Sequence, residues 1–357
     1  MPLSAERLNR LDTPAVLVDM KTAKANIARF QEYADAHGLK VRPHIKTHKL
    51  PMMAELQLAA GAVGITCQKV TEAEAMVEGS PLIRDVLITY NIVGEPKLAR
   101  LRALAEKVTL SVVADSRAVV DGLSGAFRDA ARPLTVLVEC DTGAHRCGVA
   151  SPADAAALAA YIASAPGLAF GGLMTYPPSG GEALVETYMT EAKSLIEAHG
   201  IAVPVITSGG TPTMMHAGEA PVTTEYRPGT YIYNDRSLVA RGSCGWEDCA
   251  LTVLATVVSV PAENRAVIDA GSKTLTSDLL GLTGHGHVLG RDDIAIDQLS
   301  EEHGRLVSTG PINLKVGDRL QIVPNHACVV TNMVDEVMVV SDGDAKTVPV
   351  VARGRIW

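Results

Sequence analysis

Cysteine pairs, long runs of one charge sign and long apolar runs are all scarce in this 357-residue sequence. None of its six cysteines forms a Cys-x-x-Cys pair, so a dense disulfide framework is not expected, and we predict reduced thiols in a cytoplasmic protein. The cysteines are Cys67, Cys140, Cys147, Cys244, Cys249 and Cys328. The net charge of −8 comes without a long run of one sign, which argues against nucleic-acid partners.

Signals for membrane insertion and nucleotide binding are missing as well. Residues 1–7 lack the apolar core that a secretory signal needs. The best apolar run, 251–260, contains two threonines and a serine and is too short to cross a bilayer, so we expect no membrane partner. No Gly-x-Gly-x-x-Gly sequence follows the first predicted strand and no Walker lysine is present, which does not favour a dinucleotide or a nucleoside triphosphate.

What is present, between about residues 15 and 235, is an alternation of short β-branched runs with Ala-rich amphipathic stretches. This alternation predicts parallel strands joined by right-handed crossovers. The predicted strands are 40–44, 63–66, 86–90, 109–113, 134–139, 169–174, 203–207 and 222–226. The helical patterns between them include 22–37, 71–79, 95–107 and 152–164. Eight such units over roughly 220 residues predict an α/β fold with a (β/α)8 TIM-like barrel.

A different pattern begins after Gly242, where helical periodicity gives way to β-rich runs separated by turn signals. These runs are 250–260, 266–270, 319–323 and 336–340. We therefore predict a barrel domain at 20–242 and a C-terminal antiparallel β domain at 243–357, the latter joined by an N-terminal strand at 11–19.

Polar clusters follow six of the predicted barrel strands. In a barrel of this type functional residues lie past the carboxyl ends of the strands, and phosphate sites favour the loops after strands seven and eight. The residues at these ends are Lys46 after strand one, Gln68 after strand two, Arg146 after strand five, Tyr176 after strand six, Ser208, Gly209, Gly210 and Thr211 after strand seven, and Gly229 and Thr230 after strand eight. Six clusters on one rim predict an active site.

The run from Ser208 to Thr211 predicts an anion site, because its glycines allow close backbone approach and its N–H groups and hydroxyls can bind phosphate. An ordinary glycine-rich turn is the alternative. Gly229 and Thr230 on the neighbouring predicted strand favour phosphate over the plain turn.

Lys46 is the candidate for a Schiff base with an aldehyde cofactor. Such a lysine must be partly desolvated or close to other cations, so that its amine is neutral often enough to attack. Cations surround Lys46 in the segment 42–49, and the alternative is a solvated basic loop. The predicted phosphate site on the same rim favours the cofactor.

Two further residues of the rim could serve the same cofactor. Arg146 could hydrogen-bond a phenolate oxygen such as that of the cofactor, or it could form a structural salt bridge with Asp141. Tyr176 could flank the cofactor ring, or it could be a core residue at a strand end.

His326 and Cys328 form a candidate metal pair. They follow Pro324 and Asn325 in a β context, and residues two apart on a strand point to one face, so an imidazole and a thiolate could share one ion. Two ligands alone are most often structural, and a full zinc site needs a third ligand or water. His285 and His287 could also bind metal, although a glycine-rich loop rim is the simpler interpretation.

Seven motifs in combination resemble the metal-activated D-threonine aldolase and D-serine dehydratase family, which has the alanine-racemase-like fold of pyridoxal-phosphate (PLP) enzymes. The motifs are Arg-Pro-His-Ile-Lys-Thr-His-Lys (42–49), Cys-Gln-Lys-Val-Thr-Glu-Ala-Glu-Ala-Met (67–76), Asp-Thr-Gly-Ala-His-Arg-Cys-Gly-Val (141–149), Glu-Tyr-Arg-Pro-Gly-Thr-Tyr (225–231), Asp-Ala-Gly-Ser-Lys (269–273), Glu-Glu-His-Gly (301–304) and Pro-Asn-His-Ala-Cys (324–328). The resemblance runs from Leu11 to the C-terminus.

The resemblance implies a PLP- and divalent-metal-dependent lyase that acts on a small D-configured β-hydroxy amino acid. It implies that Lys46 forms the Schiff base, that Arg146 contacts the phenolate oxygen, and that 208–211 with 229–230 hold the phosphate. Gln68 and Tyr176 belong to the same predicted cofactor site. His326 and Cys328 would bind the metal, which could be Zn, Mn or Mg. A head-to-tail homodimer is implied as well.

Two departures from the aldolases leave the reaction open between retro-aldol cleavage and dehydration. Aldolases of the family have His-x-Asp at the metal, whereas His-x-Cys is typical of the dehydratases. The aldolases also have Gln-Ala-Tyr-His-Gly after strand six, where this sequence has Met-Thr-Tyr-Pro-Pro at 174–178. The motif at 67–76 is closer to the aldolase branch, and on balance we expect aldol cleavage. An amino-acid racemase and a non-enzymatic PLP carrier are the remaining hypotheses.

Overall fold

The computed structural model describes residues 5–357 and divides them into two compact units. Residues 1–4, the start of the segment that lacks a signal-like apolar core, lie outside the described residues. The barrel unit consists of Ala28–Lys46, Pro51–Gly229 and Arg355–Trp357. The β unit consists of the described residues up to Ile27, Thr47–Leu50 and Thr230–Gly354. The domain boundaries suggested by the sequence, 20–242 and 243–357, stay a prediction.

The secondary structure alternates between strands and helices up to residue 240 and is mainly β after it. The strands are β1 (Ala15–Asp19), β2 (Lys40–Val41), β3 (Ile65–Cys67), β4 (Asp85–Ile88), β5 (Thr109–Ala114), β6 (Leu134–Cys140), β7 (Leu168–Thr175), β8 (Ile206–Ser208), β9 (Glu225–Tyr226), β10 (Leu251–Ala262), β11 (Arg265–Ile268), β12 (His287–Val288), β13 (Ile294–Leu299), β14 (Gly304–Ser308), β15 (Arg319–Val323), β16 (Glu336–Ser341) and β17 (Asp344–Pro349). The α-helices are α1 (Ala5–Arg10), α2 (Met20–Ala36), α3 (Pro51–Ala59), α4 (Val70–Gly79), α5 (Glu95–Lys107), α6 (Arg117–Phe127), α7 (Pro152–Ser164), α8 (Glu182–Ala198), α9 (Arg236–Ala240), α10 (Ser272–Leu275) and α11 (Ala327–Met333).

The barrel unit contains a sheet of eight parallel strands, β2 to β9, in which each strand from β3 onward pairs with the next one in the chain. β2 pairs with β9, and a parallel bridge between His44 and Thr66 joins the end of β2 to β3. The predicted (β/α)8 barrel is confirmed. Neighbouring strands share one buried apolar cluster, as expected for parallel strands that are covered on both faces. Its members are Leu87, Val113, Leu137 and Met174.

The first barrel strand is shorter than the predicted 40–44, because β2 ends at Val41. Pro43 has no N–H group to donate to a neighbouring strand, and the chain continues into a 3₁₀ turn over Ile45–Thr47. Lys46 therefore lies in a tight turn directly after the first barrel strand rather than on the strand itself.

The β unit is built on a nine-stranded sheet in which β1 lies between β10 and β16. β1 is antiparallel to β10 and parallel to β16, and the other pairings are antiparallel. The predicted C-terminal antiparallel β domain is thus confirmed. Asp342 and Gly343, both with positive φ, form the two-residue connection of the β16–β17 hairpin.

Four strands of this sheet, β12, β13, β14 and β17, escape the sequence analysis because they are short or interrupted by polar residues. β13, for example, has the sequence Ile-Ala-Ile-Asp-Gln-Leu and an alternating burial pattern at its start. Within residues 5–357, no helix is long and apolar enough to cross a membrane.

Candidate active site

Lys46 is half-buried in the 3₁₀ turn after β2 and is linked to β3 through two side chains. Its backbone N–H donates to Nδ1 of the buried His44 at 3.3 Å. Nε2 of His44 lies 3.0 Å from Oε1 of Gln68, whose amide nitrogen donates to the Thr89 carbonyl at 3.0 Å. These contacts fit a single form of His44, a neutral ring with its proton on Nε2.

Gln68, which we predicted to contact the cofactor, is held rigidly at this rim. Its backbone N–H donates to Oε2 of Glu72 at 2.7 Å, at the start of α4. The neighbouring Lys69 places its ammonium 3.4 Å from the centroid of the Tyr90 ring. Gln68 therefore holds His44 in position beside Lys46, and the turn that carries the candidate Schiff-base lysine is fixed on this side.

Arg146 and Tyr176 lie together, as expected if both serve one cofactor. The guanidinium carbon of Arg146 lies 4.5 Å from the centroid of the Tyr176 ring, and both side chains are exposed. The alternative salt bridge between Arg146 and Asp141 does not form among the described residues. Asp141 instead accepts the N–H groups of Gly143 and His145 at 2.9 and 3.1 Å, so it shapes the loop that carries Arg146.

The glycine-rich segment 208–211 follows β8 and is fixed by hydrogen bonds at its end. The Tyr226 hydroxyl donates to the Gly210 carbonyl at 2.8 Å, and the Gly229 N–H donates to the Thr211 hydroxyl at 3.2 Å. The two predicted phosphate segments are thus joined through Gly229. Ser208 and Thr211 are both buried.

The two glycines of this segment have different roles: Gly209 allows close packing of two backbones, and Gly210 leaves open space. A Cβ atom on Gly209 would lie 2.7 Å from the Arg227 carbonyl oxygen. Gly210 has a φ of +142°, and a Cβ atom there would lie 3.9 Å from the Tyr176 ring. Gly210 therefore lies beside the Arg146–Tyr176 pair, and the backbone at this glycine, which no side chain covers, gives the kind of cradle that an anion needs.

Charged side chains are buried inside the barrel unit below this rim. Arg42 donates from Nε to Glu225 at 2.8 Å, and Glu225 accepts from the Thr207 hydroxyl at 2.9 Å. The fully buried Arg227 donates to the Thr207 hydroxyl at 2.6 Å and to the Thr175 carbonyl at 2.7 Å. Burial lowers the pKa of Arg227 to about 10, so the side chain is still a cation at neutral pH.

Glu139, at the end of β6, is a second buried ionisable group that the sequence analysis missed. Burial raises the pKa of Glu139 to about 7, although the nearby Arg146 and Arg227 favour its charged form. The only sequence signal is a single glutamate within an otherwise apolar strand, Leu-Thr-Val-Leu-Val-Glu-Cys. The electrostatics of the rim therefore depend on a carboxyl that titrates near neutral pH.

His326 and Cys328 do not lie on a strand, and that prediction is wrong. β15 ends at Val323, His326 is the N-cap residue of α11, and Cys328 belongs to the first turn of this helix. The β-branched run that follows Cys328 favours a strand by propensity alone. The buried Asp235 overrides it, because its Oδ2 accepts the Ala327 N–H at 3.1 Å and caps the helix.

The two side chains of the candidate metal pair nevertheless contact each other. Burial by itself would lower the pKa of His326, but its hydrogen bonds to Cys328 and Asp278, with the charges of Cys328 and Asp235, outweigh burial and raise the pKa to about 9. The Cys328 sulfur also lies 3.1 Å from the Thr47 hydroxyl and 3.5 Å from the Thr230 hydroxyl. Thr47 and Thr230 directly follow Lys46 and Gly229 in the chain.

His326 and Cys328 would leave some coordination positions of a metal ion without a protein ligand. Nδ1 of His326 lies 2.7 Å from Oδ2 of Asp278, so the imidazole presents its other nitrogen toward a ligand. No group of three or more His, Cys, Asp or Glu side chains able to hold a metal is found in residues 5–357. An imidazole and a thiolate with no third protein ligand fit an ion whose other positions are open to water or substrate.

His287, one of the two other candidate ligands, has separate partners. His287 stacks on Trp246 with ring centroids 3.8 Å apart, and its Nε2 lies 3.6 Å from Asp292. Cys244 and Cys249 contact each other. Neither His287 nor these cysteines joins His326 and Cys328 in a group of three or more ligands within residues 5–357.

Comparison with known proteins gives two family models that together cover most of the chain. The model described as "Alanine racemase, N-terminal domain" matches residues 18–237, and that of a "Putative serine dehydratase domain" matches residues 250–340. Among curated proteins, a D-threonine aldolase of an Arthrobacter species is 35% identical over 368 residues, covering 97% of this chain and 94% of the relative.

Solved structures agree with these models. The D-threonine aldolase from Filomicrobium marinum is similar with a TM-score of 0.90 and 32% identity, and the match covers 98% of both chains. The D-threo-3-hydroxyaspartate dehydratase from Delftia sp. HT23 has a TM-score of 0.85 and 31% identity, with 95% of this chain and 97% of that chain covered. A cysteine-to-alanine variant of a D-threo-3-hydroxyaspartate dehydratase is described as a metal-free form.

Both family models match this chain, and its identity to the relatives exceeds 30% over nearly the whole length. The barrel rim carries the candidate residues Lys46, Arg146 and the glycine segment 208–211. The chain therefore belongs to the D-threonine aldolase and D-serine dehydratase family of PLP-dependent lyases, which has the alanine-racemase-like fold.

Proposed function

We propose that this chain cleaves small D-configured β-hydroxy amino acids by a retro-aldol reaction that yields glycine and an aldehyde. The observation that carries the proposal is the barrel rim, where Lys46, the Arg146–Tyr176 pair and the glycine cradle at 208–211 share one unit. The D-threonine aldolases to which the chain is similar support this choice of reaction.

The rim has the chemistry that PLP requires. The backbone N–H groups at Gly209 and Gly210, with the hydroxyls of Ser208 and Thr211, would hold the phosphate, and Gly229 supports the cradle through Thr211. Arg146 would meet the phenolate oxygen, and the Tyr176 ring would flank the cofactor. When bound, PLP supplies an electron sink for bonds at the substrate α-carbon.

Residues of this chain would orient the cofactor and transfer protons beside it. His44, fixed as the Nε2-protonated form by Gln68, orders the turn that carries Lys46. Lys46 would hold the cofactor, and its amine is the group of this rim that would accept or return a proton at the substrate α-carbon. The buried Arg227 keeps a fixed positive charge below the rim at neutral pH.

His326 and Cys328 would hold a divalent metal, which would lower the pKa of a bound hydroxyl. Imidazole and thiolate ligands suit Zn²⁺ better than Mg²⁺ or Mn²⁺, so we propose zinc as the first metal to test.

Dehydration to a keto acid and ammonia is the second candidate function. The His-x-Cys pair favours it, and so does the segment 174–178, which carries Pro177 and no histidine to deprotonate a substrate hydroxyl. In that reaction Lys46 would remove the α-proton and the β-hydroxyl would leave.

One assay separates the two reactions. Purified enzyme loaded with PLP and Zn²⁺ is incubated with D-threonine, D-serine and D-threo-3-hydroxyaspartate, and the products are quantified by chromatography. Glycine with an equimolar aldehyde supports aldol cleavage, whereas a keto acid and ammonia without glycine would establish dehydration. Interconversion of enantiomers that survives EDTA would instead identify a racemase. No turnover at all would revive the cofactor-carrier hypothesis.

The lysine assignment has its own test. Lys46→Ala should lose the visible absorbance of bound PLP and the covalent fixation of PLP by borohydride. Lys24→Ala, which changes an exposed lysine on α2, is the matched control and should retain both. Persistence of borohydride fixation in Lys46→Ala would refute the role of Lys46.

We also propose that the enzyme works as a head-to-tail homodimer in the cytoplasm. The family to which the chain belongs supports the dimer, and the absence of Cys-x-x-Cys pairs supports a reducing compartment. Light scattering of the PLP-loaded protein should give twice the chain mass of 37.5 kDa at micromolar concentration. A concentration-independent monomer mass would exclude the dimer.

A further inference from the structure

The side chain of Asp278 is aimed at the candidate metal ligand His326. Its Oδ2 lies 2.7 Å from Nδ1 of the ring, and both side chains are half-buried. A carboxylate that accepts the Nδ1–H of a histidine fixes the tautomer and the ring plane and leaves the Nε2 lone pair for a metal. We propose that Asp278 is the positioning residue of the metal site, an inference that rests on the proposed metal-binding role of His326.

Asp278 is itself held by its own loop. Its backbone N–H lies 3.4 Å from the Thr276 hydroxyl, and its Oδ1 accepts the Leu280 N–H at 3.3 Å. The loop takes left-handed backbone conformations at Thr276 and Leu280. One carboxylate oxygen is therefore tied to the loop and the other is directed to the imidazole, so the carboxylate does not have to be ordered when a metal binds.

Arg236 and Asn325 join this loop to the segment that carries the ligands. Arg236 donates to the Thr283 carbonyl at 2.9 Å and to Oδ1 of Asn325 at 2.9 Å. The Asn325 amide nitrogen donates to the Gly284 carbonyl at 2.8 Å. Since Asn325 immediately precedes His326, these three hydrogen bonds fix the position of the loop relative to the segment that carries the imidazole.

The backbone of the ligand segment is fixed from the other side by Asp235. Its Oδ2 accepts the Ala327 N–H between His326 and Cys328, and its Oδ1 caps α9 at Leu238. Asp235 thus sets the backbone and Asp278 sets the ring. Because Oδ2 of Asp278 is bonded to Nδ1, it occupies the edge of the ring that is remote from Nε2, which is the arrangement of a supporting residue and not of a third metal ligand.

The test measures metal affinity directly. Metal-free protein, with PLP retained, is titrated with Zn²⁺ in competition with a chromophoric chelator. Asp278→Ala should weaken Zn²⁺ binding by about 10- to 100-fold, while Asp278→Asn, whose amide oxygen can still accept from Nδ1, should lose less. Asp292→Asn is the matched control, because Asp292 faces His287 and not the metal pair. It should bind Zn²⁺ as the wild type does.

A second readout separates positioning from ligation. Long-range ¹H–¹⁵N NMR of the Zn²⁺-bound protein should show a slowly exchanging Nδ1 proton on His326 in the wild type, and this signal should disappear in Asp278→Ala. A cobalt–thiolate charge-transfer band from Cys328 should persist in the Co²⁺-loaded variant. Equal losses of affinity in Asp278→Ala and Asp278→Asn would make the carboxylate a ligand and overturn the positioning role.

Different results would refute the metal site at His326 and the positioning role of Asp278. If His326→Ala binds Zn²⁺ as tightly as the wild type, or if the wild type binds none, the metal site itself is wrong. If the wild type binds Zn²⁺, His326→Ala does not, and Asp278→Ala retains full affinity, only the role of Asp278 is refuted.

Discussion

Glu139 shows how one buried side chain can influence the whole rim. It lies 3% exposed at the end of β6, where Arg146 and Arg227 act on its charge. Neutral Glu139 leaves the positive charge of the two arginines uncompensated, which favours an anionic cofactor, whereas charged Glu139 offsets that charge. The protonation state of this carboxyl is therefore coupled to the electrostatics of the proposed PLP site.

The raised pKa of Glu139 predicts a pH dependence of stability. A carboxyl whose pKa rises from 4.5 to about 7 on folding contributes stability that is present below pH 4.5 and lost as pH rises through 7. Glu139→Gln removes this loss. Relative to the wild type, the cofactor-free variant should therefore gain up to about 3 kcal/mol in unfolding free energy between pH 5 and pH 8.

Urea unfolding at several pH values measures this gain. Glu191→Gln, which changes an exposed glutamate on α8, is the control and should follow the wild type throughout. Parallel stability curves for Glu139→Gln and the wild type would show that Glu139 titrates as an ordinary carboxyl.

At the scale of elements, the connections after the barrel strands decide the site. The turn Ile45–Thr47, the loop around Arg146 and the segment 208–211 each follow a strand end. Hydrogen bonds to a neighbouring strand or strand end hold each of them, through His44 and Gln68, Gly148 and Asp115, and Gly210 and Tyr226. Regular parallel strands fix where these connections begin, so the side chains need little reorganisation to bind one cofactor.

The segment after β8 gives a prediction at this scale. Gly209→Ala would place its Cβ 2.7 Å from the Arg227 carbonyl, and the backbone must move to relieve the clash. We expect PLP affinity to fall at least about tenfold, equivalent to about 1.4 kcal/mol. Equilibrium titration of the cofactor-free variant with PLP, followed by absorbance, measures the change.

Gly125→Ala is a matched control for this substitution. Gly125 lies on the exposed side of α6, and nothing lies within 4 Å of a Cβ placed there. Alanine there should stabilise the helix by about 0.5–1 kcal/mol and leave PLP affinity unchanged. If Gly209→Ala binds PLP like Gly125→Ala, the segment does not cradle the phosphate.

At the scale of the whole molecule, the two proposed ligands are assigned to different units. The residues proposed for PLP belong to the barrel unit, except Thr230, and those proposed for the metal belong to the β unit, so each ligand should stabilise the fold by mass action. At 100 times its dissociation constant, either ligand adds about 2.7 kcal/mol to the unfolding free energy.

Thermal unfolding with and without each ligand tests this assignment. Lys46→Ala should lose most of the stabilisation by PLP and keep that by Zn²⁺, and His326→Ala should show the reverse. EDTA should lower the melting temperature of the wild type but not that of His326→Ala. A melting temperature of His326→Ala that still rises with Zn²⁺ would move the metal site elsewhere.

Much of the barrel could be predicted from the sequence because its pattern is local. β-Branched runs alternate with amphipathic helices, and α5 and α7 have the predicted bounds of 95–107 and 152–164. Proline shortened β2, and weakly apolar strands such as β13 were missed because partial burial leaves no continuous apolar run. Lys46, Arg146 and the segment 208–211 could be proposed as site residues because strand order places strand ends on one rim.

The sequence by itself determined which chemical groups this protein possesses and in which order the barrel strands follow one another. Only the tertiary structure decided that Ala327–Met333 forms a helix, since Asp235 caps it from 92 residues away. It also brought Asp278 to His326 across 48 residues and buried Glu139 and Arg227 inside the barrel unit. Such contacts depend on tertiary packing, and no periodic pattern in the sequence predicts which residues will meet. The physical reason is that periodic burial is encoded locally, whereas hydrogen bonds between loops arise only when the packed elements fix both ends.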